Sequence, residues 1–262
     1  MNQPEFAALE AIRREMETIP GHLGFYYKNL STGFEYGVKE RDAFLAASVI
    51  KLPLLLHVLS KCARGEMRLE DRVQVTEEEK MPSCGALTLL TGTVQVDIRS
   101  LCRLMIAISD NTATNKLIRL CGIEDVNRGF QNMGLEKTVL RRLLFDSEAS
   151  KRGLENTICP KEMGMLLETL YRKEEPFRDA VFAEAMDMLL RQQIDHKLDG
   201  KLCGLVPIAH KTGEDENLSN DVGILFAGQP FVLCFAGHDT DVYRWEDLIR
   251  RAAYDLTLVQ GK

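Results

Sequence analysis

The chain has 262 residues, 45% hydrophobic and 27% charged, enough for one large domain or two small ones with a sizeable core. Its net charge of −6 argues against nucleic acid as a main partner. No apolar run reaches the about 18 residues that a membrane-spanning helix needs, so no membrane partner is expected.

Residues 4–18, with Ile19 just beyond, place Phe6, Leu9, Ile12 and Met16 at helical spacing among Glu5, Glu10, Arg13, Arg14, Glu15 and Glu17. That pattern predicts an amphipathic helix. It is not the apolar centre of a signal peptide, so the cytoplasm is the expected location unless a leader has been removed. His22 to Leu30 and Gly33 to Lys39 read as two strands around Ser31-Thr32-Gly33, a hairpin signal. Ala46 to Arg64 reads as a helix apolar almost all round, and residues 65–98 as polar and irregular, with short helical stretches.

Helices are expected over Ile98–Ile108, Thr112–Cys121 (stopped by Gly122) and 123–133. A long loop follows over 138–159. Pro160 suits the start of a helix to about Arg172, and Phe177–Gln192 is helical again. Leu205–Lys211, Asp221–Ala227 and Phe231–Ala236 then read as strands. Tyr243–Val259 closes the chain as an amphipathic helix with Trp245, Leu248, Ile249, Ala252 and Leu256 on one side.

Hairpin-joined strands favour an antiparallel sheet. The predicted fold is α+β: one five-stranded antiparallel sheet built from both chain ends, flanked by the terminal helices. Residues 1–41 with 201–262 form the α/β part, and 42–200 an inserted helical subdomain. Seven cysteines, at 62, 84, 102, 121, 159, 203 and 234, are odd in number and lack a C-x-x-C pair. They are expected to be reduced core residues. The histidines show no metal-ligand spacing and there is no Gly-rich phosphate loop, so neither metal nor organic cofactor is implied.

Two polar residues interrupt the first turns of the apolar helix, Ala47 to Leu56: Ser48 and Lys51, three apart and therefore on one face. Buried, each needs a partner. A hydroxyl beside an amine suits a nucleophile and its base, provided the amine is neutral. Burial and a second cation, which Lys211 could supply, would lower its pKa. Ser48 also lies near a helix N-terminus, where backbone N–H groups favour negative charge.

Ser48-x-x-Lys51 alone arises by chance about once in a chain this long. It is joined by Ser109-Asp110-Asn111 after a helix end and by Lys211-Thr212-Gly213 at a strand end. Together, in this order, they make the sequence resemble class A β-lactamases and penicillin-binding proteins, over essentially the whole chain. The resemblance implies a serine hydrolase that opens a β-lactam or related amide or ester through a Ser48 acyl-enzyme. It implies an oxyanion hole from the backbone N–H groups of Ser48 and Glu214. Ser109 would relay a proton to the leaving nitrogen. Asn111 would hold a substrate amide and orient Lys51. Lys211 and Thr212 would bind a substrate carboxylate, and Gly213 would let the strand edge approach the ligand. A monomer acting on a small molecule is expected. The alternatives are a penicillin-binding-protein-like DD-carboxypeptidase or esterase, and a sensor module that stays acylated.

The sequence departs from the family at the 138–159 loop. Class A enzymes carry Glu-x-x-Leu-Asn there, the Glu activating the water that releases the acyl group. Residues 140–150 lack the segment, leaving Asp146 and Glu148 as the candidate carboxylates. Asn156 stands where an Asp is expected to pair with an Arg. Val222 takes a strand position where many members place an Arg for the substrate carboxylate.

Overall fold

The computed structural model describes residues 3–261. In chain order it runs through helix α1 (Gln3–Met16), strands β1 (His22–Asn29), β2 (Glu35–Val38) and β3 (Phe44–Leu45), then a 3₁₀ turn, Ala47–Ile50, leading into α2 (Lys51–Ala63). Strands β4 (Arg72–Val75) and β5 (Val94–Asp97) precede helices α3 (Ile98–Ala107), α4 (Asn111–Cys121), α5 (Ile123–Asn132) and α6 (Ser147–Lys151). Strand β6 (Thr157–Ile158), helices α7 (Pro160–Tyr171) and α8 (Asp179–Leu189), strands β7 (Ile208–Asp215), β8 (Leu218–Leu225) and β9 (Phe231–His238), and helix α9 (Val242–Gln260) complete it.

The main sheet is antiparallel throughout, in the order β2-β1-β9-β8-β7, so both chain ends contribute and β7 is an edge. Period-2 alternation divides its side chains between two cores. Phe231, Leu233 and Phe235 meet α1 and α9 on one face, where Leu9, Ile12, Trp245, Leu248 and Leu256 are buried. Val232, Cys234 and Ala236 face the other core with α2, α3, α4, α7 and α8. With both faces covered, these strands read as near-continuous apolar runs. Among the described residues no helix is long and apolar enough to cross a membrane.

Six local expectations need correction. The predicted helix Ala46–Arg64 begins as a 3₁₀ turn and becomes α-helical only at Lys51. Residues 65–98 hold a strand pair, β4 on β5; each strand is only four residues long, so the alternation in Arg72-Val73-Gln74-Val75 and Val94-Gln95-Val96-Asp97 is too brief to stand out. The 138–159 loop contains α6, and its β6 pairs with β3. Strand β7 extends through Asp215, so Lys211-Thr212-Gly213 lies inside the strand rather than at its end. Pairing Glu214↔Ser219 and Asp215↔Leu218 outweighs the poor strand propensity of this acidic run. The cysteines are all free, but Cys84 and Cys203 are exposed rather than in the core. Phe6, predicted inward, is 38% exposed and packs edge-on against Tyr36.

Candidate active site

Ser48 lies in the 3₁₀ turn and Lys51 is the first residue of α2. In a 3₁₀ turn residues i and i+3 eclipse, which stacks the amine on the hydroxyl: Lys51 Nζ is 2.8 Å from Ser48 Oγ. Lys51 is fully buried. Its nitrogen also lies 2.8 Å from the Ser109 carbonyl oxygen, 2.9 Å from Ser109 Oγ and 2.8 Å from Asn111 Oδ1. The carbonyl and the amide oxygen can only accept. A neutral amine has two N–H groups for those two acceptors, which leaves its lone pair for a hydroxyl proton. Burial, followed by the neighbouring Lys211 cation, holds Lys51 well below the ordinary lysine range.

Lys211 comes from β7 and is also fully buried. Its Nζ donates to Ser109 Oγ at 3.2 Å and to the Thr212 carbonyl at 2.8 Å. Burial and the Lys197 cation bring it down to about 7. Ser109 Oγ therefore bridges two lysine nitrogens. Asp110 caps α4 by accepting from Ala113 N at 2.8 Å, which fixes Asn111 at the helix start. Ala47 (φ +41°) and Ser109 (φ +57°) are in the left-handed region, an arrangement non-glycine residues hold only where the surroundings impose it.

At Gly213, strand β7 passes close to the Ser48 turn. A Cβ built there would lie 3.0 Å from the Ala46 carbonyl oxygen, 3.0 Å from Val49 N and 3.1 Å from Ser48 N, so any larger residue would press the two backbones apart by a few tenths of an ångström. Asn220, opposite Gly213 on β8, locks the junction by donating from Nδ2 to the Leu45 and Ala46 carbonyls.

A cleft of about 680 Å³ opens over Ser48, lined also by Cys84, Asn111, Leu144, Asp146, Glu155 and Glu214. The structure thus brings Ser48, Lys51, Ser109, Asn111 and Lys211 together, with Thr212 buried beside them. It separates the two loop carboxylates. Asp146 borders the cleft but caps α6, accepting from Ala149 N at 2.9 Å. Glu148 is not among the cleft residues; its side chain is 77% exposed and paired with Lys151. Val222 is wholly buried in the core, away from the cleft wall.

Two loop residues escaped sequence reasoning. Glu155 borders the cleft, gripped by Arg142 at 2.7 Å and by Ser150 Oγ. Leu144 borders it with its backbone held in both directions by Asn115, at 2.8 and 3.0 Å. The loop clamp expected of an Arg–Asp pair is made differently: Asn156 Oδ1 accepts from Arg141 N and Arg142 N, and its Nδ2 donates to the Arg142 carbonyl. His196, Glu214 and Glu246 cluster closely enough to suggest a cation site. The Lys197 ammonium, 2.9 Å from Glu214 Oε1, already supplies positive charge there, so the cluster is read as an ion-pair network.

A β-lactamase from Rhodobacter capsulatus is 29% identical over 142 residues, which are 53% of this chain but only 48% of that protein's length. The L2 β-lactamase of Stenotrophomonas maltophilia is 26% identical over 245 residues, covering 87% of this chain and 75% of its own. Among solved structures, a point mutant of PBP-A captured as an acyl-enzyme complex with penicillin G is 27% identical. It covers 97% of this chain and 96% of its own, with a TM-score of 0.87. The model of the beta-lactamase enzyme family matches residues 7–258, and the chain belongs to that family.

Proposed function

We propose that the protein opens the amide of β-lactams by attack of Ser48 Oγ, forming a Ser48 acyl-enzyme that water then hydrolyses. The observation that carries this is the fully buried Lys51 amine 2.8 Å from Ser48 Oγ, with both of its obligate acceptors already in place. Neutral Lys51 takes the Ser48 proton as the Oγ–carbonyl bond forms. The backbone N–H groups of Ser48 and Glu214 receive the negative charge on the carbonyl oxygen. Ser109, between the two lysines, passes a proton to the departing nitrogen. Asn111 orients Lys51 and meets the substrate amide, and Lys211 with Thr212 meets its carboxylate.

Release is the slow half of the cycle. Of the loop carboxylates at the cleft, Asp146 is engaged as a helix cap and Glu155 by Arg142 and Ser150. Labelled penicillin is expected to appear by mass spectrometry on Ser48 and on no other residue. No adduct at high penicillin concentration would remove the basis of the proposal. A chromogenic cephalosporin is expected to give a burst near one equivalent followed by slow turnover.

The protein is read as a monomer built of an α/β part, 1–41 with 201–262, and a helical part, 42–200. One core packs α1 and α9 on the sheet, and the other packs the helices of 42–200 on its opposite face. Hydrogen exchange in two cooperative groups along those boundaries is the expected result; a single cooperative group would speak against it.

A further inference from the structure

Lys197 is a third buried lysine, fully inaccessible, in the segment between α8 and β7. A buried ammonium is costly unless each N–H finds an acceptor. The three acceptors found for Lys197 belong to two adjacent rungs of the sheet, Gly213 with Asn220 and Glu214 with Ser219. Its Nζ donates to the Gly213 carbonyl at 3.2 Å and the Asn220 carbonyl at 3.1 Å, and pairs with Glu214 Oε1 at 2.9 Å. Gly213 and Asn220 face each other across β7 and β8, and both reach the backbone beside Ser48.

The Gly213 carbonyl and the Glu214 N–H are two ends of one peptide group. A trans peptide is planar, so its C=O and N–H point in opposite directions. Holding the carbonyl from behind fixes where the N–H points. An ammonium on the carbonyl also polarises the peptide and makes its N–H a stronger donor. Strand β7 is the sheet edge, so groups facing away from β8 have no strand partner.

We propose that Lys197 is a positioning residue for the oxyanion hole, aiming and strengthening the Glu214 N–H through the carbonyl of the Gly213–Glu214 peptide. The proposal rests on the reading of Ser48 as the nucleophile. Glu214 moderates the effect, because its carboxylate offsets part of the ammonium charge. Two substitutions therefore act in opposite directions. Lys197→Met removes the cation; Glu214→Gln removes the offset and leaves the cation in place.

The test uses penicillin G carrying ¹³C at the β-lactam carbonyl, with the whole chain as it stands. Two quantities are read: the second-order rate of adduct formation at Ser48, and the infrared stretch of the ester carbonyl in the adduct. A carbonyl that accepts stronger hydrogen bonds absorbs at lower frequency. Lys197→Met is expected to slow acylation about 10- to 100-fold, less than the roughly 10²–10³ lost with a whole oxyanion donor, and to raise the band. Glu214→Gln is expected to lower the band. A residue that merely stabilised the fold would not shift the band in opposite directions. Should Lys197→Met fail to fold, Glu214→Gln decides: a band that rises or stays in place overturns the proposal. Equal rates and an unmoved band in folded Lys197→Met overturn the role of Lys197 alone. A wild-type protein that forms no Ser48 adduct overturns the nucleophile reading, and this proposal with it.

Discussion

The cleft has two unlike walls. On one, Ser48, Lys51, Ser109 and Lys211 point their polar groups at one another inside a buried pocket. On the other, polar side chains hold the backbone of the 140–156 loop: the loop's own Asn156 on Arg141 and Arg142 and Asp146 on Ala149, and Asn115 of α4 on Leu144. The first wall is arranged to move protons and the second to keep its shape. Groups set against one another in low dielectric acquire displaced pKa values, whereas side chains that satisfy main-chain groups fix the shape of a loop.

The sharpest way to break this contrast is Lys51→Ala. Loss of the general base is expected to lower the Ser48 acylation rate about 10³-fold, within the 10²–10⁴ typical of such groups. An unchanged rate would place the base elsewhere. Next in size is the pH response. Lys51 is held well below the ordinary lysine range by burial and Lys211, while Lys211, at about 7, is a cation below that pH and loses its charge above it. Acylation by a carboxylate-bearing penicillin should therefore fall about tenfold between pH 7 and 8.5, through weaker binding. A rate that keeps climbing to pH 9 would remove Lys211 from carboxylate recognition. The same depressed values mean that the unfolded chain binds more protons than the folded one between about 7 and the ordinary lysine range. Stability should rise with pH across that window, as read from denaturant midpoints.

On the other wall the expected effects are structural. Asn156→Ala strands the Arg141 and Arg142 N–H groups, and should cost about 2–3 kcal/mol and lower Tm by several degrees, with acylation within about threefold of wild type. A collapse of acylation at unchanged Tm would show that this wall also takes part in attack. The smallest effects belong to Asp146→Asn and Glu148→Gln. Asn caps a helix about as well as Asp, and Glu148 is an exposed ion-pair partner, so adduct decay should change by less than about twofold in either. A larger slowing in one of them would identify the carboxylate that activates water.

How much of this was legible in the sequence follows from range. Ser48 and Lys51 are three residues apart, so their meeting depends only on local turn geometry. The Ser109-Asp110-Asn111 turn and the Lys211 strand announce themselves by residue type. The sheet was readable because its central strands are apolar on both faces. What was hidden depends on distant contacts. Lys197 has no neighbour in sequence that marks it as buried. Leu144 reads as an ordinary apolar loop residue until Asn115 is seen gripping its backbone. Glu155 lies beyond the carboxylates that spacing alone suggested. The β4–β5 pair is separated by the residues 76–93, too far for a hairpin signal.

The contact at Gly213 has a practical consequence. Strand β7 and the Ser48 turn meet backbone to backbone, and no side chain stands between them to tolerate slack. A molecule in which the sheet and the turn have drifted apart by even an ångström should lose the pocket for the acyl oxygen while retaining both lysines. Covalent labelling at Ser48 would then count natively assembled molecules, one label per correctly docked pair. In a denaturant series, the labelled fraction would report that docking directly, ahead of any change in helix content.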